Sequence, residues 1–256
     1  MATLSEIRDT IQQRLLTHLY RGPESSGLVL KGGAAMRVLT ESARYTQDLD
    51  FDHDPHRSLG SLQKTVRSAV ERALRGSGLS QTSISESKQT DTVARWKISG
   101  QTAAGEGLHL TVEVSRRRAP DLSHVLKIPI QVADRTLPRV YVSVYDEQAL
   151  ADNKIAALLD DRRTAPRDIY DLELLLSRGI CPGPVVVEHF GGHAALAQRV
   201  IRKLDLMDWA LFRDQVLPAL PRDTQSHIDE EEYLAMKLRL VEAIEHCAPK
   251  QSDSRV

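Results

Sequence analysis

The chain has 256 residues, 41% of them apolar and 27% charged, with a formal net charge of −1. That suits an ordinary globular protein of one large domain or two small ones, and it excludes bulk electrostatic attraction to nucleic acid, so any such contact needs a local basic patch. No apolar run reaches the length of a membrane span, and the opening MATLSEIRDT lacks the apolar core of a secretory signal. The two cysteines, Cys181 and Cys247, are too few for a disulfide framework and have no zinc spacing, so a reducing, cytoplasmic setting is expected.

Apolar residues at Ile7, Ile11, Leu15 and Leu19 have helical period, so 5–19 is expected to be an amphipathic helix, with a turn-rich link over 21–26. Leu28, Val29 and Leu30 suit a buried strand, 34–39 a short helix, and 48–51 a second strand. A helix over 59–74 ends at Gly76 and Gly78. Strands are expected over 82–86, 92–99, 108–115 and 140–144. From Asp146 the texture turns helical, with helices over 147–159 and 167–177 and three or four more before Cys247. The fold class is α+β: a mixed β-sheet core over 1–145 and a helical C-terminal half over 146–256.

The chemistry concentrates in 28–52, LVLKGGAAMRVLTESARYTQDLDFD. Lys31, Gly32 and Gly33 suit a tight turn whose backbone N–H groups approach an anion, and the helix after it points its N-terminus at the same place. Asp48 and Asp50 alternate with Leu49 and Phe51, so the two carboxylates share one strand face while the apolar pair faces the core. Paired carboxylates beside a phosphate cradle are what a divalent cation, Mg²⁺ or Mn²⁺, needs to hold an NTP, which points to nucleotidyl transfer. Asp52 lies on the same nominal face but is expected to leave the site. Glu113, in Val112-Glu113-Val114, is the candidate third metal ligand, with an exposed polar strand position as the competing reading.

A glycine pair, a helical spacer and Asp-x-Asp on a strand resemble the nucleotidyltransferase superfamily. Lys31-Gly32-Gly33-Ala34 and Asp48-Leu49-Asp50-Phe51 are similar to its abortive-infection toxin branch (AbiEii/AbiGii-like). Lys154, followed by Arg167-Asp168-Ile169-Tyr170-Asp171-Leu172, extends the likeness to about 28–176, although the spacer before Asp48 is longer than the superfamily norm. The resemblance implies a nucleotidyltransferase-like fold and a toxin that transfers NMP to an acceptor hydroxyl such as a tRNA 3′ end, blocking translation, in a toxin–antitoxin or phage-defence pair. It also implies that the helical half contributes Lys154, as a cation against the phosphates, and Asp168, orienting that lysine or touching the nucleotide. Arg167 is a further nucleotide contact, and Asp171 stands behind Asp168 or pairs with Arg167 on the helix face. An antibiotic-type small-molecule nucleotidyltransferase and a non-catalytic partner-binding module on the same fold remain alternatives.

Thr46, two residues before Asp48, is a candidate for regulatory phosphorylation by a partner kinase or antitoxin, against the plainer reading of a β-branched residue leading into a strand. The runs Arg116-Arg117-Arg118 and Arg162, Arg163 and Arg167 are candidate RNA contacts or solvated faces. Asp52-His53-Asp54-Pro55-His56 and Glu188, His189 and His193 look metal-like, but the first holds Pro55 and the second is split by Gly191 and Gly192.

Overall fold

The computed structural model describes residues 2–130, 132 and 136–247. The chain forms two compact units, Met1–Asp146 and Glu147–Val256.

The first unit is built on a seven-stranded mixed sheet. Its helices are α1 (Leu4–Leu19), α2 (Gly32–Thr40) and α3 (Leu59–Leu74). Its strands are β1 (Leu28–Lys31), β2 (Asp48–His53), β3 (Ser80–Gln89), β4 (Val93–Gln101), β5 (Gly107–Ser115), β6 (Val125–Ile130) and β7 (Val140–Tyr145). The spatial order is β3-β4-β5-β2-β1-β7-β6. β2 runs antiparallel to β1 and parallel to β5, and β1 runs parallel to β7. Leu49 and Phe51 of β2, Val112 and Val114 of β5 and Trp96 and Ile98 of β4 are buried on one sheet face, as are Leu15, Leu19, Leu62 and Val66 of α1 and α3. Period-2 alternation therefore turns Asp48, Asp50, Thr111, Glu113, Arg95 and Lys97 to the other face.

α1 starts where Thr3 and Glu6 form a capping box, each side chain bonding the other's backbone N–H. α2 starts earlier than the sequence predicts, at Gly32, because that glycine takes a left-handed φ of +66° that lets the chain turn straight from β1 into the helix. β6 is a strand that apolar alternation did not reveal. Its Pro129 has no N–H to donate, and β6 tolerates it because it is an edge strand.

The second unit contains α4 (Glu147–Leu158), α5 (Arg167–Ser177), α6 (Pro184–His189), α7 (His193–Asp205), α8 (Trp209–Gln215), α9 (Arg222–Gln225) and α10 (Glu230–His246). The five helices after α5 exceed the three or four expected, since short α8 and α9 carry too few residues for a periodic signal. Ile155, Leu172, Val200, Phe212, Tyr233 and Leu240 lie in one continuous core. The Tyr233 hydroxyl donates to the Met207 carbonyl at 2.8 Å, so its polar tip is satisfied inside that core. Cys181 and Cys247 form a disulfide across 66 residues of sequence, a single bond that their count and the expected reducing setting did not suggest. Packing of α5 on α10 brings the loop after α5 to the end of α10, a proximity that sequence spacing does not encode. Among the described residues no helix is long and apolar enough to cross a membrane.

Candidate active site

β1 hands the chain to α2 at Lys31, and β2 lies beside it with Lys31 opposite Asp50. The turn is pressed against the acids. A Cβ at Gly32 would stand 2.9 Å from Asp50 Oδ2, and one at Gly33 would stand 2.9 Å from Arg44 Nη2 and 3.1 Å from Thr46 Oγ1. Glycine leaves room for both approaches, and at Gly32 the positive φ favours it as well. The first N–H groups of α2, which has no side-chain cap, thus open beside a carboxylate pair.

Asp48, Asp50 and Asp52 are all half-buried on one face of β2. Asp52 does not leave the site. Its Oδ1 lies 2.6 Å from Lys31 Nζ, and its Oδ2 accepts a 2.9 Å hydrogen bond from the Tyr145 hydroxyl. Burial, then the Asp52 charge, pushes the Tyr145 phenol above its ordinary value, which keeps the donor protonated. Sequence reasoning missed Tyr145, although alternation along VYVSVY puts it on the face of Tyr141 and Ser143.

Two side chains of α1 reach the start of β2. Arg8 is buried and donates from Nε to the His109 carbonyl at 2.9 Å. Burial lowers its guanidinium from the ordinary value, and the Asp48 carboxylate opposes that. Gln12 Nε2 donates to the Thr46 carbonyl at 3.1 Å. The Thr46 hydroxyl closes a small turn, accepting from Asp48 N at 3.3 Å and donating to Asp48 O at 3.2 Å.

Glu113 stands directly across from Asp50 on β5, and Arg95 of β4 stands across from Glu113. Arg95 Nε donates to Glu113 Oε2 at 2.6 Å, so this carboxylate is already partnered. Among the described residues no group of three or more His, Cys, Asp and Glu could hold a metal ion. Asp48 and Asp50 still fit a hard dication, because Mg²⁺ sites commonly use one or two carboxylates and take their other ligands from substrate phosphates and water.

In the second unit Lys154 is buried, with Nζ 2.9 Å from Asp168 Oδ1 and 2.5 Å from Asp171 Oδ2. Arg163 reaches the other Asp168 oxygen at 3.2 Å. Asp171 therefore pairs with Lys154 and not with Arg167, which is exposed. Helical spacing alone pairs Arg167 with Asp171, but burial favours the ammonium that α4 delivers to the same two carboxylates.

The basic runs divide. Arg116 is buried and donates to the carbonyls of Pro55 (3.0 Å) and Arg57, so it is neither an RNA contact nor part of a solvated face, whereas Arg117 and Arg118 are exposed. Arg162 is bound to Asp160 through Nε and Nη2, each at 3.0 Å. In the metal-like segments, His53 is buried against Glu24, His56 N caps onto Asp54, and His189 packs edge-on against Phe190.

No curated protein matches the chain. Among solved structures, JHP933 from Helicobacter pylori is 24% identical, with a TM-score of 0.60, over 96% of this chain and 92% of that one. MenT4, a nucleotidyltransferase toxin from Mycobacterium tuberculosis H37Rv, is 19% identical, with a TM-score of 0.55, over 94% of this chain and 82% of that one. At these identities the likeness is one of fold. The family model of the nucleotidyl transferase AbiEii toxin, of type IV toxin–antitoxin systems, matches residues 14–246, and the chain therefore belongs to that family of nucleotidyltransferase toxins, whose membership implies a cognate antitoxin.

Proposed function

We propose that this toxin transfers NMP from an NTP to the 3′ hydroxyl of tRNA, with Mg²⁺ or Mn²⁺ held by Asp48 and Asp50, and so blocks translation. The observation that carries the reading is the contact of Gly32 with Asp50, which puts a helix N-terminus and two carboxylates at one point of the sheet. When bound, the metal neutralises phosphate charge and polarises the reacting oxygens. The chain's own residues do the rest. The N–H groups after Lys31 orient the triphosphate, and Lys31, steered by Asp52, adds a positive charge next to them. The acceptor oxygen forms a bond to the α-phosphorus, the bond from that phosphorus to the bridging oxygen breaks, pyrophosphate leaves and the hydroxyl proton is released.

Thr46 supplies a means of control within the same reading. A phosphoryl group there carries about −1.5 to −2 charges and would break both Thr46 contacts to the Asp48 backbone. Intact mass after co-expression with the antitoxin reads it directly, and an unmodified protein that is nevertheless silenced removes this role.

The test is incubation with each labelled NTP and total tRNA, with and without a chelator. Label is expected in RNA for the native chain and absent for Asp48→Ala and Asp50→Ala. Undiminished transfer by Asp48→Ala, or transfer that ignores the chelator, would overturn the reading.

A further inference from the structure

Next to the acids the sheet continues as an open polar face. Asp48 lies across from Thr111 of β5, and Thr111 lies across from Lys97 of β4. One row along, Asp50 faces Glu113, Glu113 faces Arg95, and Arg95 faces Lys88 of β3. A register shift between Ser85 and Lys88 adds one residue to β3, and this keeps Lys88 on the same face as Ser85 and Lys97. With strands about 4.8 Å apart, Lys97 is about 10 Å and Lys88 about 14 Å from the acids, measured backbone to backbone.

Lys88, Lys97 and His109 are exposed. Arg95 is held by Glu113, but neither Lys88 nor Lys97 has an ion-pair partner among the described residues. This face also carries Ser83, Ser85, Ser99, Gln101 and Thr111, with Ser83 and Ser99 hydroxyls 2.8 Å apart. Cations mixed with hydroxyls are the groups that contact phosphate oxygens. A protein-binding surface needs apolar or aromatic anchors at its centre, and the exposed residues of this face supply none.

We infer that the open face of β3, β4 and β5 seats the phosphodiester backbone of the RNA acceptor, with Lys97 and Lys88 on successive phosphates, and leads its 3′ end to Asp48 and Asp50. This rests on the reading of RNA as acceptor and adds where the RNA lies.

The experiment compares the native chain, Lys88→Gln/Lys97→Gln and Arg117→Gln/Arg118→Gln in RNA labelling kinetics and in RNA binding against salt. Each single-strand phosphate contact contributes about 0.7 to the slope of log affinity against log salt. The double lysine variant is expected to lose about 1.4 from that slope and to raise the KM for RNA several-fold with kcat nearly kept, a larger loss than that of the double arginine variant. Native labelling of RNA with an unaltered slope and KM in the lysine variant would overturn the inference alone. A native chain that labels an acidic protein, or nothing, in place of RNA would overturn both the inference and the acceptor assignment.

Discussion

Lys31 and Asp52 form a 2.6 Å ion pair across β1 and β2, one residue before the glycine turn. Tyr145 donates to the second Asp52 oxygen, so this carboxylate is held from both sides and fixes the Lys31 ammonium beside the glycine turn. Asp52→Asn should lower kcat/KM for NTP by about tenfold or more, because preorganised charge near the phosphates is lost. Tyr145→Phe should lower it less, since Lys31 still holds Asp52. Steady-state labelling with varied NTP checks both, and an Asp52→Asn enzyme with native kcat/KM would separate the ion pair from catalysis.

Gly32→Ala should abolish transfer while the sheet stays folded. The added methyl meets Asp50 Oδ2 at 2.9 Å and the residue must hold a φ of +66°, which costs about 1–2 kcal/mol for a residue with a side chain. Circular dichroism alongside the labelling assay tells displacement of Asp50 from unfolding. Full activity in Gly32→Ala would remove the cradle from the mechanism.

Lys154 is buried against two carboxylates, where a solvated helical lysine would have been nearly silent to substitution. Lys154→Ala takes the ammonium out of a buried cluster with Asp168 and Asp171, at a cost of about 3–5 kcal/mol. Adding Asp168→Asn and Asp171→Asn should recover much of that loss. Denaturant melts of the single and triple variants measure it, and a native midpoint for Lys154→Ala would contradict the buried cluster.

His53 makes stability depend on pH. Burial holds its imidazole below the ordinary value; the Glu24 carboxylate opposes this, and the charges of Arg116 and Arg57 reinforce it. The folded chain resists a proton that the unfolded chain accepts, so this contribution is complete above about pH 6.5 and is lost as pH falls through the depressed folded value. His53→Gln should flatten the fall in Tm on that acid side, and an unchanged profile would acquit His53.

The Cys181–Cys247 bond closes a long loop of the helical unit. Loop-closure entropy sets its stabilisation at about 4 kcal/mol at most. Melting with and without a reductant should show the loss, and Cys181→Ser should make the melt indifferent to reductant.

Local pattern was enough for much of this protein. The alternation of Asp48, Leu49, Asp50 and Phe51 assigns two faces to β2 because a strand's side-chain period is two, and Lys31-Gly32-Gly33 marks the turn because glycine takes a left-handed φ at no steric cost. Partner choice was not local. Whether Glu113 meets a metal or Arg95 depends on strand order, and whether Asp171 takes Arg167 or Lys154 depends on how α4 packs on α5. Asp52 reads as a residue leaving the site until β7 brings Tyr145 to it from 93 positions away. Periodicity determines which way a side chain points; only the tertiary structure decides what it meets there, because hydrogen bonds and ion pairs act over a few ångströms and the chain supplies their partners from distant positions.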